Sequence, residues 1–278
     1  MNWLPVVTSL LLLLALVAVV FRMRRAVRGI WARLEALQVS QRHFANRTVS
    51  DLLVLHSELA SLVHDKQLCF ASQGGEDVWL WNRFGRREHG VFVEIGAFNG
   101  IDASNTWFFE QLGWTGVLVE PDPQIAAECK GNRPNSVTVQ AAAGRETGQV
   151  TLQRFKSSAN WSGMLSHVGA LDAHADRLKR MEGSVESVSV PMRRMDDVLA
   201  EAEIGVIDFI SIDVEGAEMS VLDGLDLQRW KPSIIVLENT YEGADGQNLI
   251  GRMASSGYTK CGSIGANDFF AANAGLAA

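Results

Sequence analysis

The sequence predicts an α/β domain built on a doubly wound, mostly parallel sheet of seven strands, preceded by a transmembrane helix and an amphipathic helical stalk. Three observations support this organisation. Leu4–Phe21 form an uncharged apolar run, apolar residues then recur at steps of three and four, and beyond residue 68 strand-like and helix-like segments alternate. Such alternation is typical of a parallel sheet with connecting helices. The chain is therefore divided into residues 1–25, 26–67 and 68–278.

Residues 1–25 are predicted to anchor the protein in a membrane. The eighteen residues Leu4–Phe21 carry no charge, and a helix of that length is roughly 27 Å long, close to the hydrocarbon thickness of a bilayer. Four arginines follow the run, between residues 22 and 28, whereas a cleaved signal peptide carries its charges before the run. By the positive-inside rule the body of the protein then lies in the cytoplasm.

Residues 26–67 are predicted to form the amphipathic stalk. Apolar residues have the spacing of one helical face at Ile30, Leu34, Leu37, Leu52, Leu55, Leu59 and Leu62. Gln41 and Thr48 interrupt this face, so a sustained coiled coil is not assured. Two arrangements stay open: a stalk that joins two copies into a homodimer, and a helix that packs on the body.

Composition excludes several classes of protein. The chain carries 25 Lys and Arg against 32 Asp and Glu, a net charge of −7, and the acidic excess lies in the body. An acidic body is a poor partner for DNA or RNA. The three cysteines are too few and too widely spaced for a disulfide framework or a zinc knuckle.

The secondary structure of the body follows from its apolar runs. Strands are predicted at Val91–Ile95, Gly116–Glu120, Val137–Ala141, Ile207–Asp213 and Ser233–Glu238, with a closing hairpin of Tyr258–Ser263 and Asn267–Ala271. Helices are predicted at Ser104–Leu112, Pro123–Lys130, Asp196–Glu203, Glu218–Leu225 and Gln247–Ser256. The polar stretch 156–187 interrupts the alternation, and we expect it to form much of a lid over the acceptor substrate.

The stretch VFVEIGAFNG, residues 91–100, ends a predicted strand with an acid and two glycines. At the carboxyl end of a parallel strand, glycines allow a tight turn and a close approach to a ligand. Gly96 and Gly100 occupy such positions. Glu120 ends the next strand, twenty-four residues after Gly96, and its carboxylate can accept hydrogen bonds from both hydroxyls of a ribose. The ligand is therefore expected to contain a nucleoside.

Charge indicates which nucleoside cofactor fits this turn. A dinucleotide fingerprint places small residues beside the pyrophosphate, whereas this turn contains Phe98 and follows Glu94. An acidic turn favours a cationic or neutral cofactor. S-adenosylmethionine fits, because it carries a sulfonium, an ammonium and a ribose.

Three stretches of the body resemble a known family: SQGGEDVWL (72–80), VFVEIGAFNGIDASNTWFFEQLGWTGVLVEPDP (91–123) and IDFISIDVEGAEMSVLDGLDL (207–227). They are similar to the FkbM-type methyltransferases, S-adenosylmethionine-dependent enzymes many of which methylate oxygen. The resemblance runs from about Ser72 to Phe270 and implies a Rossmann-like, class I methyltransferase fold. It does not extend to residues 1–66.

The resemblance also implies the residues of the cofactor site. Glu120 would hold the ribose, and Glu94, Gly96 and Gly100 would line the methionine end of the cofactor. The remaining cofactor-binding residues would be Ala97, Ser104, Asn105 and Thr106. Candidate substrate-binding residues are Gln73, Glu76 and Asp77, together with His167 in the polar stretch. Structural roles are the alternative: Ser104 would cap the following helix, and Glu76 with Asp77 would begin a surface helix.

A second chemical centre is SIDVEGAE, residues 211–218. Asp213 and Glu215 flank the end of the fourth predicted strand, which faces the transferred methyl group in a methyltransferase. A carboxylate there can orient or deprotonate a hydroxyl nucleophile, so both are candidate catalytic residues, and Asp213 is also a candidate cofactor contact. The alternative is that Asp213 caps the turn while Glu215 and Glu218 favour the helix N-terminus.

A bound Mg²⁺ is the alternative to a direct base. Asp213 ends the fourth predicted strand, and Glu238 with Asn239 ends the fifth, so three oxygen ligands are expected to meet at one edge of the sheet. A metal held there would lower the pKa of the acceptor hydroxyl and fix its position.

The sequence thus predicts a membrane-anchored, cytoplasm-facing S-adenosylmethionine-dependent methyltransferase that acts on a hydroxyl of a sugar or glycolipid-like acceptor. A nicotinamide-dependent oxidoreductase or sugar-nucleotide epimerase is the alternative enzyme class, disfavoured by Phe98 and by the lack of a Tyr-x-x-x-Lys pair. A non-catalytic membrane-tethered scaffold is the third hypothesis, disfavoured by the acids at both chemical centres.

Overall fold

The computed structural model describes residues 49, 52–62, 64, 66–84, 87–156, 167–168, 184–239 and 244–273. The chain divides at Leu52, and the unit Leu53–Ala278 contains both sheets and the candidate site. The predicted anchor Leu4–Phe21 and most of the predicted stalk lie outside the described residues. Within the described ranges, no helix is long and apolar enough to cross a membrane.

The larger sheet has seven strands, in agreement with the prediction. With strands numbered along the chain, they are β1 Val91–Ile95, β2 Thr115–Glu120, β3 Val137–Gln140, β8 Phe209–Ile212, β9 Ile234–Glu238, β10 Tyr258–Ile264 and β11 Asn267–Ala272. Their order is β10-β11-β9-β8-β1-β2-β3. Neighbours pair in parallel except β11, which runs antiparallel to both β9 and β10. The carboxyl ends of β1, β2, β8 and β9 therefore meet at one edge.

Helices cover both faces of this sheet, as a doubly wound fold requires. They are α1 52–62, α2 Glu76–Arg83, α3 Trp107–Leu112, α4 Pro123–Asn132, α5 Met195–Glu201, α6 Glu218–Asp223, α7 Leu227–Trp230 and α8 Ala244–Ser255. One apolar core joins α2 and α3 to Phe92, Phe209 and Phe269. The other core joins α5, α6 and α8 to Val93 and Ile210, which point to the opposite face of the sheet from Phe92 and Phe209. The central strands are buried on both faces, which explains why they read as continuous apolar runs.

A second sheet of four strands follows β3 and was not predicted. It contains β4 Ala142–Ala143, β5 Gly148–Lys156, β6 His167–Val168 and β7 Ser184–Arg193, in the order β4-β7-β5-β6. β5 and β7 pair antiparallel along their whole length, from Gly148 opposite Met192 to Lys156 opposite Ser184. The expected lid at 156–187 lies mostly outside the described residues, and its described ends are strands of this sheet.

Helix α1 packs against the unit through its small residues. Ala60 is fully buried, the Ser57 hydroxyl accepts a hydrogen bond from Phe70 N at 3.0 Å, and the Ser61 hydroxyl accepts one from Leu68 N at 2.9 Å. The four described leucines of the predicted stripe, Leu52, Leu55, Leu59 and Leu62, are exposed instead, and Leu62 is 82% exposed. A homodimer formed through this stripe stays a prediction.

Candidate active site

The candidate site is a pocket at the carboxyl edge of the larger sheet. The residues after β1, β2 and β8 form most of it, and β4 and β5 of the second sheet form one wall. Nine of the residues singled out from the sequence line it: Gln73, Glu94, Gly96, Ala97, Ser104, Asn105, Glu120, Asp213 and Glu215. Gly100, Thr106, Glu76, Asp77, Glu238 and Asn239 do not line the pocket. The structure describes no side chain for His167.

Gly96 is required by the backbone of the neighbouring strand end. Its φ is +87°, and a Cβ at this position would lie 1.7 Å from the carbonyl oxygen of Asp213. Its N–H donates to Val119 O at 2.9 Å. Only a residue without a Cβ lets the turn after β1 pass this close to the end of β8, so Gly96 brings the two chemical centres into one pocket.

Gly100 serves packing rather than ligand contact. A Cβ on it would lie 2.6 Å from Cγ of Arg133 and 2.9 Å from Sγ of Cys129. Both of these residues belong to the α4 region. The sequence pattern suggested a cofactor contact, but the second glycine allows the turn to lie against α4.

Glu94 anchors the residues that follow the turn. Its Oε1 accepts from Asn105 N at 2.8 Å, and its Oε2 accepts from the hydroxyl of Thr106 at 2.7 Å and of Ser104 at 2.9 Å. Asn105 Nδ2 in turn donates to the hydroxyl of Ser211 on β8 at 2.9 Å. Because residues 104–106 are held in this way, α3 begins at Trp107 rather than at the predicted Ser104.

Arg133 completes this network, and the sequence analysis missed it. The side chain is fully buried, and it donates to Gly100 O at 2.8 Å, to the Thr106 hydroxyl at 2.9 Å and to Glu110 Oε2 at 2.7 Å. Its Nη1 lies 3.7 Å from Glu94 Oε2. A buried guanidinium needs carboxylate partners and satisfied donors, and Glu94 and Glu110 supply them.

Glu120, for which the resemblance implied a ribose contact, ends β2 and lines the pocket. Its Oε2 accepts from Phe98 N at 3.0 Å and its Oε1 from Asp122 N at 2.8 Å, which leaves each oxygen a further lone pair for a ligand hydroxyl. Burial, together with the negative charge of Asp122, raises the pKa of Glu120 to about 8. Phe98 has φ +48°, and backbone strain in a pocket-lining residue is typical of functional turns.

Asp77 and Glu76 have structural roles. Asp77 is fully buried, and its carboxylate accepts from Ala71 N at 2.7 Å, from Ser72 N at 3.0 Å and from the Ser72 hydroxyl. Burial raises the pKa of Asp77 to about 6. Glu76 accepts from Gly74 N and from Asn267 Nδ2. They begin α2, as the structural alternative expected, but the helix is buried at this end rather than on the surface.

Asp213 and Glu238 form a hydrogen-bonded carboxyl pair beside the pocket. Burial raises the pKa of both groups, and the charge of Asp213 raises that of Glu238 further, whereas the hydrogen bond from Glu238 favours ionised Asp213. The pair therefore shares one proton, held on Glu238, with Asp213 as the anion. Glu215 adopts φ +52° at the pocket wall, and Glu218 accepts from Gly216 N at 3.0 Å.

The predicted metal ligands do not come together. Asn239 Nδ2 donates to Asp268 Oδ2 at 2.9 Å, and Asp268 pairs with Leu237, so Asn239 turns to the opposite face of the sheet from Glu238. No group of three or more His, Cys, Asp and Glu side chains within the described ranges is arranged to hold a metal ion.

Asn267 occupies the place expected for Asn239. It pairs with Glu238 across β11 and β9, so the two side chains share a face. In the part of the chain that the structure describes, Glu238 Oε2 and Asn267 Oδ1 are buried and have no hydrogen-bond partner. Both atoms are acceptors, and a ligand that binds them must donate hydrogen bonds. No signal in the sequence separated Asn267 from the other residues of the closing hairpin.

The fold and the pocket together define a class: a Rossmann-like domain with a pocket where β1, β2 and β8 end and an acid pair at the ends of β8 and β9. A family model described as "Methyltransferase FkbM domain" matches residues 94–262. The chain belongs to this family of methyltransferases, and the match supports S-adenosylmethionine as the cofactor. It favours methyl transfer over the oxidoreductase, epimerase and scaffold alternatives.

Individual proteins are also similar to this chain. A 2-O-methyltransferase, NoeI of Sinorhizobium fredii, is 30% identical over 148 residues, which span 48% of this chain and 56% of that protein. Among solved structures, a putative RNA methyltransferase of Pyrococcus horikoshii has 10% identity and a TM-score of 0.39, with 71% of this chain and 82% of that chain covered. Fibrillarin of Aeropyrum pernix, with bound S-adenosyl-L-methionine, has 10% identity and a TM-score of 0.38, with 65% of each chain covered.

Proposed function

We propose that the protein is an S-adenosylmethionine-dependent O-methyltransferase that acts on a hydroxyl of a sugar or glycolipid-like acceptor. The observation that carries this proposal is the acid pair Asp213–Glu238, whose member Asp213 lines the pocket together with Glu215. Carboxylate oxygens at the pocket wall accept hydrogen bonds, and a polyhydroxylated acceptor donates them. The curated relative named a 2-O-methyltransferase supports the same choice of atom.

The pocket fits the cofactor in charge. Glu94, Asp213 and Glu215 line it, and these carboxylates suit a ligand with a sulfonium and an ammonium. When bound, S-adenosylmethionine supplies an electrophilic methyl group. Glu120 binds the ribose, and the turn from Gly96 to Phe98 bounds the pocket where β1 ends.

Asp213 is the proposed general base. It is ionised when Glu238 holds the shared proton, and it lies at the pocket wall. Asp213 would accept the proton of the acceptor hydroxyl, whose oxygen would take the methyl group from the sulfonium as the carbon–sulfur bond breaks and its electron pair stays on sulfur. The described residues do not assemble the predicted Mg²⁺ ligands, which favours the direct base.

The affinity for S-adenosylhomocysteine should rise with pH. A Glu120 carboxyl with a pKa of about 8 is mostly protonated at pH 7 and ionised at pH 9, and the ionised form is the better acceptor for ribose hydroxyls, so affinity should increase about tenfold across this range. The Glu120→Gln variant should bind roughly 10- to 100-fold more weakly at pH 9, having lost charge-assisted hydrogen bonds. Titration calorimetry on both proteins measures this.

The pH response of Glu120→Gln is the control for this experiment. Ionisation of the ligand's own amine is common to both proteins and cancels in the ratio of their affinities. The same pH response in the wild type and in Glu120→Gln would remove Glu120 from the ribose site.

We propose further that the enzyme works at the cytoplasmic face of a membrane. This rests on the uncharged run Leu4–Phe21 and on the arginines that follow it. The full chain should sediment with membranes, and a protein lacking residues 1–25 should stay in the supernatant and still bind S-adenosylhomocysteine. A full chain that remains in the supernatant without detergent would contradict the proposal.

A further inference from the structure

A buried ion pair connects the second sheet to the proposed cofactor site. Arg154 on β5 donates through Nε and Nη2 to both carboxylate oxygens of Asp122, with 3.0 Å between Nη2 and Oδ1. Arg154 is 9% exposed and Asp122 only 1%. A two-point contact between a guanidinium and a carboxylate fixes orientation as well as distance.

Asp122 is linked in turn to the ribose carboxylate. Its N–H donates to Glu120 Oε1 at 2.8 Å, and its own carboxylate caps α4 by accepting from Gln124 N at 2.8 Å. The position of Asp122 therefore determines where Glu120 points. Leu152, two residues before Arg154 and so on the same face of β5, lines the pocket. Strand β5 thus contributes both a residue that lines the pocket, Leu152, and the arginine that binds Asp122.

The charge of Arg154 bears on the partner of Glu120. The negative charge of Asp122 disfavours the ionised form of Glu120, and Arg154 forms an ion pair with Asp122. The other charged or titratable groups near this region are Glu186 on β7, whose Oε2 lies 3.5 Å from Nη1 of Arg154, and Cys129, Glu94 and Arg133. Burial raises the pKa of Cys129 to about 12, so the thiol stays neutral, and Glu94 has Arg133 beside it.

We propose that Arg154 is a positioning residue for cofactor binding: from the second sheet it binds both carboxylate oxygens of Asp122, and through Asp122 it holds the Glu120 carboxyl group in place at the ribose site. The proposal rests on the proposed function, in which Glu120 binds the ribose. It gives the second sheet a role in cofactor affinity that neither the fold nor the family match assigns.

The test measures S-adenosylhomocysteine affinity by calorimetry for Arg154→Met and the wild type between pH 6 and pH 9.5. Arg154→Met should bind about tenfold more weakly at pH 7.5, because an uncompensated Asp122 moves the ionisation of Glu120 up by about one pH unit. The ratio of the two affinities should shrink towards pH 9.5, where Glu120 is ionised in both proteins. A ratio that stays the same at every pH indicates a purely structural role and overturns the proposal.

Two variants serve as controls. Arg193→Met removes another ion pair of the second sheet, with Glu201 on the surface, and should bind like the wild type. Asp122→Asn introduced into Arg154→Met removes the uncompensated charge and retains a side chain that can cap α4. This double variant should regain the wild-type pH response. A double variant that keeps the shifted response of Arg154→Met contradicts the electrostatic part of the proposal.

Arg154→Lys covers the case in which Arg154→Met does not fold. Lysine keeps the charge and loses the two-point contact, so weaker binding with a wild-type pH response supports the proposal, and wild-type affinity overturns it. Glu120→Gln separates this inference from the proposed function. Wild-type binding by Glu120→Gln would reject the ribose site itself, whereas weak binding by Glu120→Gln with normal binding by both Arg154 variants would reject only the role of Arg154.

Discussion

Gly96→Ala should abolish cofactor binding and lower the free energy of unfolding by about 4 kcal/mol, the sum of a strained positive φ and of a forced backbone shift. The added Cβ would lie 1.7 Å from Asp213 O, in a residue held at φ +87°. The clashing atom belongs to the backbone, so no side-chain rotation can relieve the contact. Either the turn after β1 or the end of β8 must move, and both line the pocket. Urea denaturation and calorimetry with S-adenosylhomocysteine measure the two effects.

Gly131→Ala is the matched control for this substitution. Gly131 lies in α4, and a Cβ there would meet no atom within 4 Å. Alanine should therefore leave cofactor binding unchanged and stabilise the protein by up to about 1 kcal/mol, the difference in helix propensity. Wild-type stability and binding in Gly96→Ala would mean that the two chemical centres do not meet as the structure has them.

Asp213→Asn should lower methyl transfer by about 10²- to 10⁴-fold, the usual contribution of a general base. Asparagine keeps the shape and cannot take the proton. Glu238→Gln should retain most of the activity, because the amide can still donate a hydrogen bond to Asp213 as the protonated acid does. The measurement is transfer of label from S-adenosylmethionine to a membrane glycolipid extract, at saturating cofactor.

Asp223→Asn is the control for the acid variants, since Asp223 is exposed on α6 and pairs with Arg252 at 3.8 Å. It should show wild-type transfer. Wild-type turnover should also fall as the pH falls through the raised pKa of Asp213, because the base is then protonated. More than half of the wild-type activity in Asp213→Asn would exclude Asp213 as the base.

The larger sheet could be predicted because its central strands are buried on both faces. Val91–Ile95 was predicted with the bounds that the structure shows, and the other strands differ by a few residues at their ends. The second sheet could not be predicted in the same way. β7, Ser184–Arg193, is exposed along most of its length, so its residues show no apolar run. Its partner β5 is separated from it by the polar stretch, and the pairing is not a local property.

The acids of the site could be predicted from the sequence because the end of an apolar run marks the end of a buried strand. Glu94, Glu120 and Asp213 each end an apolar run, and all three line the pocket. Asn239 was misplaced because adjacent residues at the end of a strand project to opposite faces. Arg133 and Arg154 carried no signal, since a lone arginine in a polar segment resembles the surface arginines around it. Their partners come from other elements, and only the fold brings them together.

The buried network around Arg133 has a consequence for how the enzyme tolerates altered cofactors. Arg133 and Glu94 together hold Gly100 O, Ser104, Asn105 N and Thr106 through hydrogen bonds. Because the protein's own buried side chains fix this segment, ligand binding costs little conformational entropy there. The same rigidity prevents it from moving aside for a larger group. Analogues enlarged at the methionine end should be rejected far more strongly than analogues of similar size that are changed elsewhere.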